Sequence, residues 1–277
     1  MEQYREKCDK LLQITGEMTK ENTAVAFSGG VDSSLLLKLM CQEAKKQDTR
    51  VYAIAAHTEL HPSADLEIAK KVAKETGAEF VVLKLRELEE ADIADNPVDR
   101  CYRCKRLLFR EIKAKAKELG AEVLAEGTNL DDTKVYRPGL KALTELGVIS
   151  PLKEAGFSKE EVRKLAAEYG ISVADRPSTP CLATRFPYGD TLSVEKMKKV
   201  EQGELFLRNL GLYNVRLRIH EKIARIEVDE GDMSTLLENR EEVVKFLKDL
   251  GYWYVTLDME GFRSGSMDIG MEKQDEI

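Results

Sequence analysis

The chain reads as an α/β protein, a doubly wound parallel sheet followed by a small C-terminal α+β domain of ferredoxin-like type. Three observations predict this. Short apolar runs alternate with helical stripes through the first part of the chain, as parallel sheets covered by helices require. A Gly/Ser-rich loop follows the first apolar run and opens a helix. Beyond residue 190 the rhythm changes to helix, two adjacent strands, helix and strand.

Taken in order, residues 3–20 place Tyr4, Cys8, Leu11, Leu12 and Ile14 on one helical stripe. Thr23–Phe27 is a short buried strand, and SLLLKLM after it is the body of a helix. Val51–Ala56 is a second strand. Ser63–Gly77 reads as a helix that opens on a Ser cap and closes on Gly. Phe80–Leu83 is the third strand, Arg106–Gly120 a helix and Glu122–Ala125 the fourth strand. Ser158–Gly170 is helical, and the irregular stretch DRPSTPCLATRFPYGD with Pro177, Pro180 and Pro187 follows. The domain boundary is expected at its end, giving domains 1–190 and 191–277. In the second domain the pattern predicts a helix over 194–210, strands over 213–219 and 223–228, a helix over 233–250 and a strand over 252–257.

Composition excludes several classes. At 43% hydrophobic and 34% charged the 277 residues are neither low-complexity nor disordered. A net charge of -7 argues against nonspecific nucleic-acid binding, which needs a basic surface to release counterions. No apolar run approaches the ~20 residues of a membrane helix. MEQYREKCDKLLQITGEMTK lacks the apolar core of a secretory signal, so a cytoplasmic protein is expected. Five cysteines, Cys8, Cys41, Cys101, Cys104 and Cys181, are too few and too irregular for a disulfide scaffold.

The most informative segment is Ser28-Gly29-Gly30-Val31-Asp32-Ser33-Ser34, directly after the first strand. Two glycines let backbone N–H groups turn inward around an anion, and the next helix presents its positive N-terminus. Ser28, Ser33 and Ser34 add hydroxyls, and Asp32 can hold Mg²⁺ against phosphate oxygens. Neither GxxxxGK[ST] nor GxGxxG occurs, so P-loop and dinucleotide-binding readings do not apply. Glu126-Gly127-Thr128-Asn129 with Asp131 and Asp132, after the fourth strand, reads on its own either as an ordinary Asn/Asp loop or as a ligand loop in which Gly127 would allow close approach of backbone.

Cys101 and Cys104 form a CxxC at a helix start, where Arg100, Arg103 and Lys105 favour thiolate. A zinc knuckle needs a second such pair, and none exists. Cys181, in PSTPCLATR, is the third candidate thiol. Three thiolates without a fourth protein ligand would leave one iron of a [4Fe–4S] cluster open. Cys8 and Cys41 lie among leucines and read as core residues. The histidines His57, His61 and His220 show no ligand spacing.

SGGVDSS resembles the PP-loop of the ATP pyrophosphatase superfamily. The run from SGGVDSS through NPVDRCYRCK, EGTNLDD, RPGLKALTELGVISPLKEAGFSKEEVRKLA and PSTPCLATRFPYG to GFRSGSMD resembles one branch, the LarE-type pyridinium-3,5-biscarboxylate mononucleotide sulfurtransferases. The resemblance implies ATP as substrate and Mg²⁺, and adenylation of a substrate carboxylate with release of pyrophosphate. Sulfur insertion with loss of AMP follows, as a step in nickel-pincer nucleotide cofactor synthesis. It implies nucleotide contacts at Ser28, Gly29, Gly30, Asp32, Ser33, Ser34 and Gly127, with Asp32 on Mg²⁺.

The branch has two kinds. One sacrifices a single cysteine matching Cys181, which becomes dehydroalanine. The other holds a [4Fe–4S] cluster on three cysteines, and its open iron carries hydrosulfide. The CxxC together with Cys181 resembles the second kind. On strand YNVRLRI, Arg216 and Arg218 alternate onto one face. The resemblance implies that they bind the substrate phosphate, with Glu204 and Glu227 nearby; a solvated sheet face is the alternative. A homo-oligomer and a sulfide or other sulfur donor are also implied. A tRNA thiolase and a non-catalytic nucleotide-binding module are the competing functions.

Overall fold

The protein, examined as a computed structural model, is described over residues 2–134, 139–177, 179–263 and 265–269. Arg137 and Pro138 of the RPG segment, Ser178 of the proline-rich loop and Ser264 of GFRSGSMD lie outside the described residues. The chain divides into two compact units, Met1–Asp92 with Asp99–Ser178, and Ile93–Val98 with Thr179–Ile277.

In the first unit α1 (Glu2–Met18) leads into β1 (Thr23–Ala26), α2 (Val31–Gln47), β2 (Val51–His57), α3 (Ser63–Thr76) and β3 (Glu79–Lys84). A single turn α4 (Glu87–Glu90), then α5 (Arg100–Glu118), β4 (Val123–Ala125), α6 (Gly139–Glu145), α7 (Pro151–Glu154) and α8 (Lys159–Glu168) complete it. All pairings are parallel in the order β3-β2-β1-β4. The two-residue side-chain period of a strand sorts the sheet into two faces. Val25, Ala53 and Ala125 join a core with Leu11, Leu35, Leu39, Val72 and Leu165, from α1, α2, α3 and α8. Their neighbours Ala24, Tyr52, Ile54 and Leu124 join a second core with Phe109, Ile112 and Leu143, from α5 and α6. Helices cover both faces, which is why the inner strands are apolar on both sides. The chain runs outward from β1 through β2 to β3 and returns to β4 on β1's other side, so the switch point of the sheet lies between β1 and β4.

The second unit contains α9 (Val194–Asn209), β5 (Val215–His220), β6 (Ile223–Val228), α10 (Met233–Glu238), α11 (Arg240–Asp249) and β7 (Tyr254–Leu257). β5 and β6 are antiparallel and β6 and β7 parallel, a small mixed sheet.

Several boundaries differ from the sequence expectation, each for a local reason. α5 begins at Arg100, six residues before Arg106, so the CxxC lies inside its first turns. Pro62 occupies the capping position of α3 and Ser63 is its first helical residue; Gly77, at φ 83°, closes it as expected. The helix expected over 233–250 is broken at Asn239, whose side-chain amide donates to the Thr235 carbonyl at 2.8 Å and competes with the helical ladder. The compact division falls between Ser178 and Thr179 rather than at 190. Loop 179–190 is bonded into the second unit: the Asn96 amide donates to the Phe186 carbonyl at 3.3 Å and the Pro187 carbonyl at 2.6 Å, and Arg218 donates to the Thr184 carbonyl at 2.9 Å.

Candidate functional site

The loop after β1 has the geometry an anion needs. Gly29 has φ 71°, and a Cβ there would stand 2.9 Å from the Ala69 Cα, so glycine is required on two counts. Gly30 caps α2 without a side-chain bond, leaving the first-turn N–H groups for a ligand. The Ser28 and Ser33 hydroxyls lie 3.2 Å apart, and Ser28 Oγ accepts from the Gly30 N–H at 3.3 Å. Ser33 and Ser34 are both buried, and among the described residues the Ser34 hydroxyl has no hydrogen-bond partner.

The segment after β4 packs against this loop. A Cβ on Gly127 would come within 2.8 Å of the Ser33 amide nitrogen and 3.1 Å of the Asp32 Cβ. The close approach that Gly127 permits is therefore to the backbone of the SGGVDSS loop itself. Glu126 anchors the turn: its carboxylate accepts from the Thr128 amide at 3.0 Å, the Thr128 hydroxyl at 2.8 Å and the Ser150 hydroxyl. Asn129 then donates to Asp32 Oδ1 at 3.0 Å, while its own carbonyl oxygen accepts from the Asp131 amide at 2.9 Å.

The other oxygen of Asp32 accepts from Lys159 Nζ, a residue that sequence reasoning missed. Lys159 is the first residue of α8, behind a capping box in which Ser158 and Glu161 exchange bonds. The Asp131 carboxylate accepts from Lys134 at 2.7 Å and, at its other oxygen, from the Lys159 amide at 2.8 Å; the Lys134 bond first, then the amide, hold Asp131 below the usual carboxylate range. The local signal was present, because Ser-Lys-Glu-Glu is a helix start. Nothing local told which residue the lysine would meet. Asp32 carries the hard oxygen donors that Mg²⁺ prefers, and Lys159 supplies the positive charge at that carboxylate.

Cys101 and Cys104 are one turn apart on α5 and half-buried. The Cys104 thiol donates to Glu87, a carboxylate buried completely on α4. Two thiols on one helical face match the donor chemistry of a metal or cluster. Among the described residues no group of three or more His, Cys, Asp or Glu side chains is arranged to hold a metal ion. Cys8 and Cys41 pack against the first core as expected, and burial raises the Cys41 thiol to about 11.

In the second unit, Arg216 and Arg218 are buried rather than set on a solvated face. Glu227 lies opposite Arg216 in the β5–β6 register, and Arg218 Nε donates to Glu227 Oε2 at 3.0 Å. The Arg216 guanidinium lies 5.0 Å from the centre of the Phe262 ring. Burial, and then the charge of Arg185, lower Arg216 to about 10. Arg185 was not singled out in the sequence, yet it is fully buried and forks onto both oxygens of Glu204 at 2.8 and 2.9 Å. The cluster thus buries three arginines, Arg185, Arg216 and Arg218, against two glutamates, Glu204 and Glu227. Cys181 is half-buried in the loop leading into Arg185.

A parallel sheet whose switch point carries an SGG loop, a first-turn carboxylate and a second strand end packed on that loop defines a PP-loop enzyme. Residues 3–134 match a family described as a PP-loop domain. The chain is 37% identical to the pyridinium-3,5-bisthiocarboxylic acid mononucleotide synthase of Lactiplantibacillus plantarum, over 91% of each chain. It is 35% identical to a Synechocystis protein over 95% of this chain and 97% of that one. It is also 32% identical to the tRNA-specific 2-thiouridylase MnmA of Rickettsia prowazekii, over 56% of this chain and 52% of that one. The chain belongs to the PP-loop family of the pyridinium-3,5-bisthiocarboxylic acid mononucleotide synthase. No helix among the described residues is long and apolar enough to cross a membrane.

Proposed function

We propose that this enzyme inserts sulfur, at the expense of ATP, into pyridinium-3,5-biscarboxylic acid mononucleotide for nickel-pincer nucleotide synthesis. The observation that carries the reading is the similarity to the named synthase over 91% of both chains. In the first step a substrate carboxylate oxygen attacks the α-phosphorus of ATP, and pyrophosphate leaves. In the second step sulfur attacks the acyl carbon, AMP leaves with the carboxylate oxygen, and a thiocarboxylate remains. Ser28, Gly29, Gly30, Ser33, Ser34 and Gly127 form the nucleotide site. The N–H groups at the start of α2 meet the departing pyrophosphate, where donors aimed at developing charge lower the barrier. Asp32 would hold Mg²⁺, which supplies charge neutralisation on the phosphates when bound. Lys159, which bonds Asp32, would offer its ammonium to a phosphate oxygen. Arg216 and Arg218 bind the phosphate of the pyridinium mononucleotide, with Glu227 holding the Arg218 guanidinium and Glu204 holding that of Arg185.

For the sulfur source we propose a [4Fe–4S] cluster held by Cys101, Cys104 and Cys181, with sulfide or another donor renewing the sulfur. Such a centre supplies an iron without a protein ligand, to which sulfur can bind. Sacrifice of Cys181 sulfur is the alternative, and it forecasts the opposite outcome. Anaerobic reconstitution should give about four irons per chain, lost in each of Cys101→Ser, Cys104→Ser and Cys181→Ser and retained in Cys8→Ser and Cys41→Ser. A dehydroalanine at Cys181 after reaction, with Cys101 and Cys104 dispensable, overturns the cluster. The similarity to the tRNA thiolase favours a second reading, tRNA thiolation, but it spans 56% of the chain and the net charge is -7. Pyrophosphate release on adding the pyridinium substrate, with a thiocarboxylate product by mass spectrometry, tests the main reading. Release on adding tRNA instead sinks it.

A further inference from the structure

We infer that Arg185 is a positioning residue for Cys181: its buried guanidinium joins the cysteine loop to the helix and strand that carry the arginine cluster. The inference rests on the reading of Cys181 as a functional thiol. A guanidinium withdrawn from water needs acceptors around its whole planar edge. Arg185 commits Nε and Nη2 to Glu204 at 2.8 and 2.9 Å. Its Nη1 donates to the carbonyls of Pro180 at 2.9 Å and Cys181 at 3.2 Å, and to the Thr184 hydroxyl at 2.9 Å. The Cys181 carbonyl also accepts from the Thr184 amide at 3.1 Å and the Thr184 hydroxyl at 2.8 Å.

On the far side, Glu204 of α9 accepts from the Leu217 amide of β5 at 3.1 Å and from Arg208 at 2.7 Å. Arg218 closes a second link through the Thr184 carbonyl at 2.9 Å. The backbone is thereby fixed at residues 180, 181 and 184, from which the Cys181 side chain projects. Apolar packing alone could seal this space, but it would hold no carbonyl. A fork that grips a carboxylate on one edge and two loop carbonyls on the other fixes where the thiol stands. Lysine cannot replace it, since one ammonium cannot span both sets of acceptors.

The test is the iodoacetamide alkylation rate of each cysteine, read by peptide mass spectrometry on full-length wild type, Arg185→Lys and Glu204→Gln. Release of the loop should speed Cys181 at least fivefold in a folded variant, with Cys8 and Cys41 unchanged. A smaller change at Cys181 overturns the inference. If neither variant folds, hydrogen exchange in the wild type decides. The Thr184 and Phe186 amides should then exchange within tenfold of the Leu217 amide, and faster exchange overturns it. No substrate is needed. A response at Cys181 without sulfur insertion keeps the positioning role and removes the proposed reaction, whereas an absent response removes the role whatever the activity.

Discussion

Asp32 and Lys159 are separated by 127 positions in sequence and meet at one carboxylate. Asp32→Ala is expected to abolish Mg-ATP-dependent pyrophosphate release with the fold intact, and wild-type turnover in a release assay would remove Asp32 from the site. Lys159→Met removes the cation but leaves the carboxylate; ATP affinity should fall by about 1.5–3 kcal/mol, the range for a hydrogen bond to a charged group, as read by calorimetry. Glu204 gives a pH-dependent counterpart. Burial pushes its carboxyl up, but the opposing effects of Arg185, Arg208 and the Leu217 amide outweigh it, so the folded pKa lies below the ordinary value. A lowered carboxylate contributes stability that is present above its unfolded pKa and lost as pH falls through the folded one. Glu204→Gln should therefore cost about 3–5 kcal/mol near neutrality, because it strands Arg185, and the gap to wild type should narrow below about pH 4. Urea midpoints across pH 3–7 measure it; a gap that widens in acid contradicts the pairing. Most of the candidate site was legible because its chemistry is local: the two glycines and Asp32 lie within one turn of chain. Lys159 and Arg185 were not, because each is defined by a partner that only folding brings near.

At the scale of elements, α8 does more than cover the sheet. Its capping box fixes the first turn, and that turn aims Lys159 at the loop after β1. Ser158→Ala removes the side-chain acceptor for the Glu161 amide, and a lost cap costs about 0.5–2 kcal/mol. The expected result is a lower thermal midpoint together with reduced pyrophosphate release. Unchanged release at a lowered midpoint would separate the cap from the site. The strands β1 and β2 were legible because inner parallel strands are apolar on both faces, so TAVAF and VYAIAA stand out as runs. The apolar stripe of α5 begins only at Leu107, so periodicity set its start at Arg106, although the CxxC already read as a helix start. The break at Asn239 was missed because LLENREE keeps its helical period while one side chain bonds back to the main chain. Loop 179–190 was assigned to the first domain because proline-rich irregularity reads as a linker. Its bonds to Asn96 and Arg218 appear only in three dimensions.

The whole molecule carries a net charge of -7 yet buries Arg185, Arg216 and Arg218 in its second unit. These two facts select different partners. A long polyanion meets the summed field of an acidic surface and gains little counterion release, so tRNA should not shift in a gel at physiological salt. On the proposed reading a small phosphate monoester meets only the local cluster of Arg185, Arg216 and Arg218 with Glu204 and Glu227. Binding there stabilises the folded state by RT ln(1 + [L]/Kd), about 1.4 kcal/mol at ten times Kd, which for a domain near 100 residues raises the midpoint on the order of 5 °C. Nicotinic acid mononucleotide, a stable pyridine monophosphate, is the probe. Its thermal shift should vanish in Arg216→Ala while the shift from Mg-ATP persists. If Arg216→Ala instead removes the ATP shift and spares that of the mononucleotide, the cluster belongs to the nucleotide and not to the pyridinium substrate. If tRNA binds tightly at physiological salt, the local cluster is outweighed by a surface the net charge does not reveal, and the sulfur acceptor is nucleic acid.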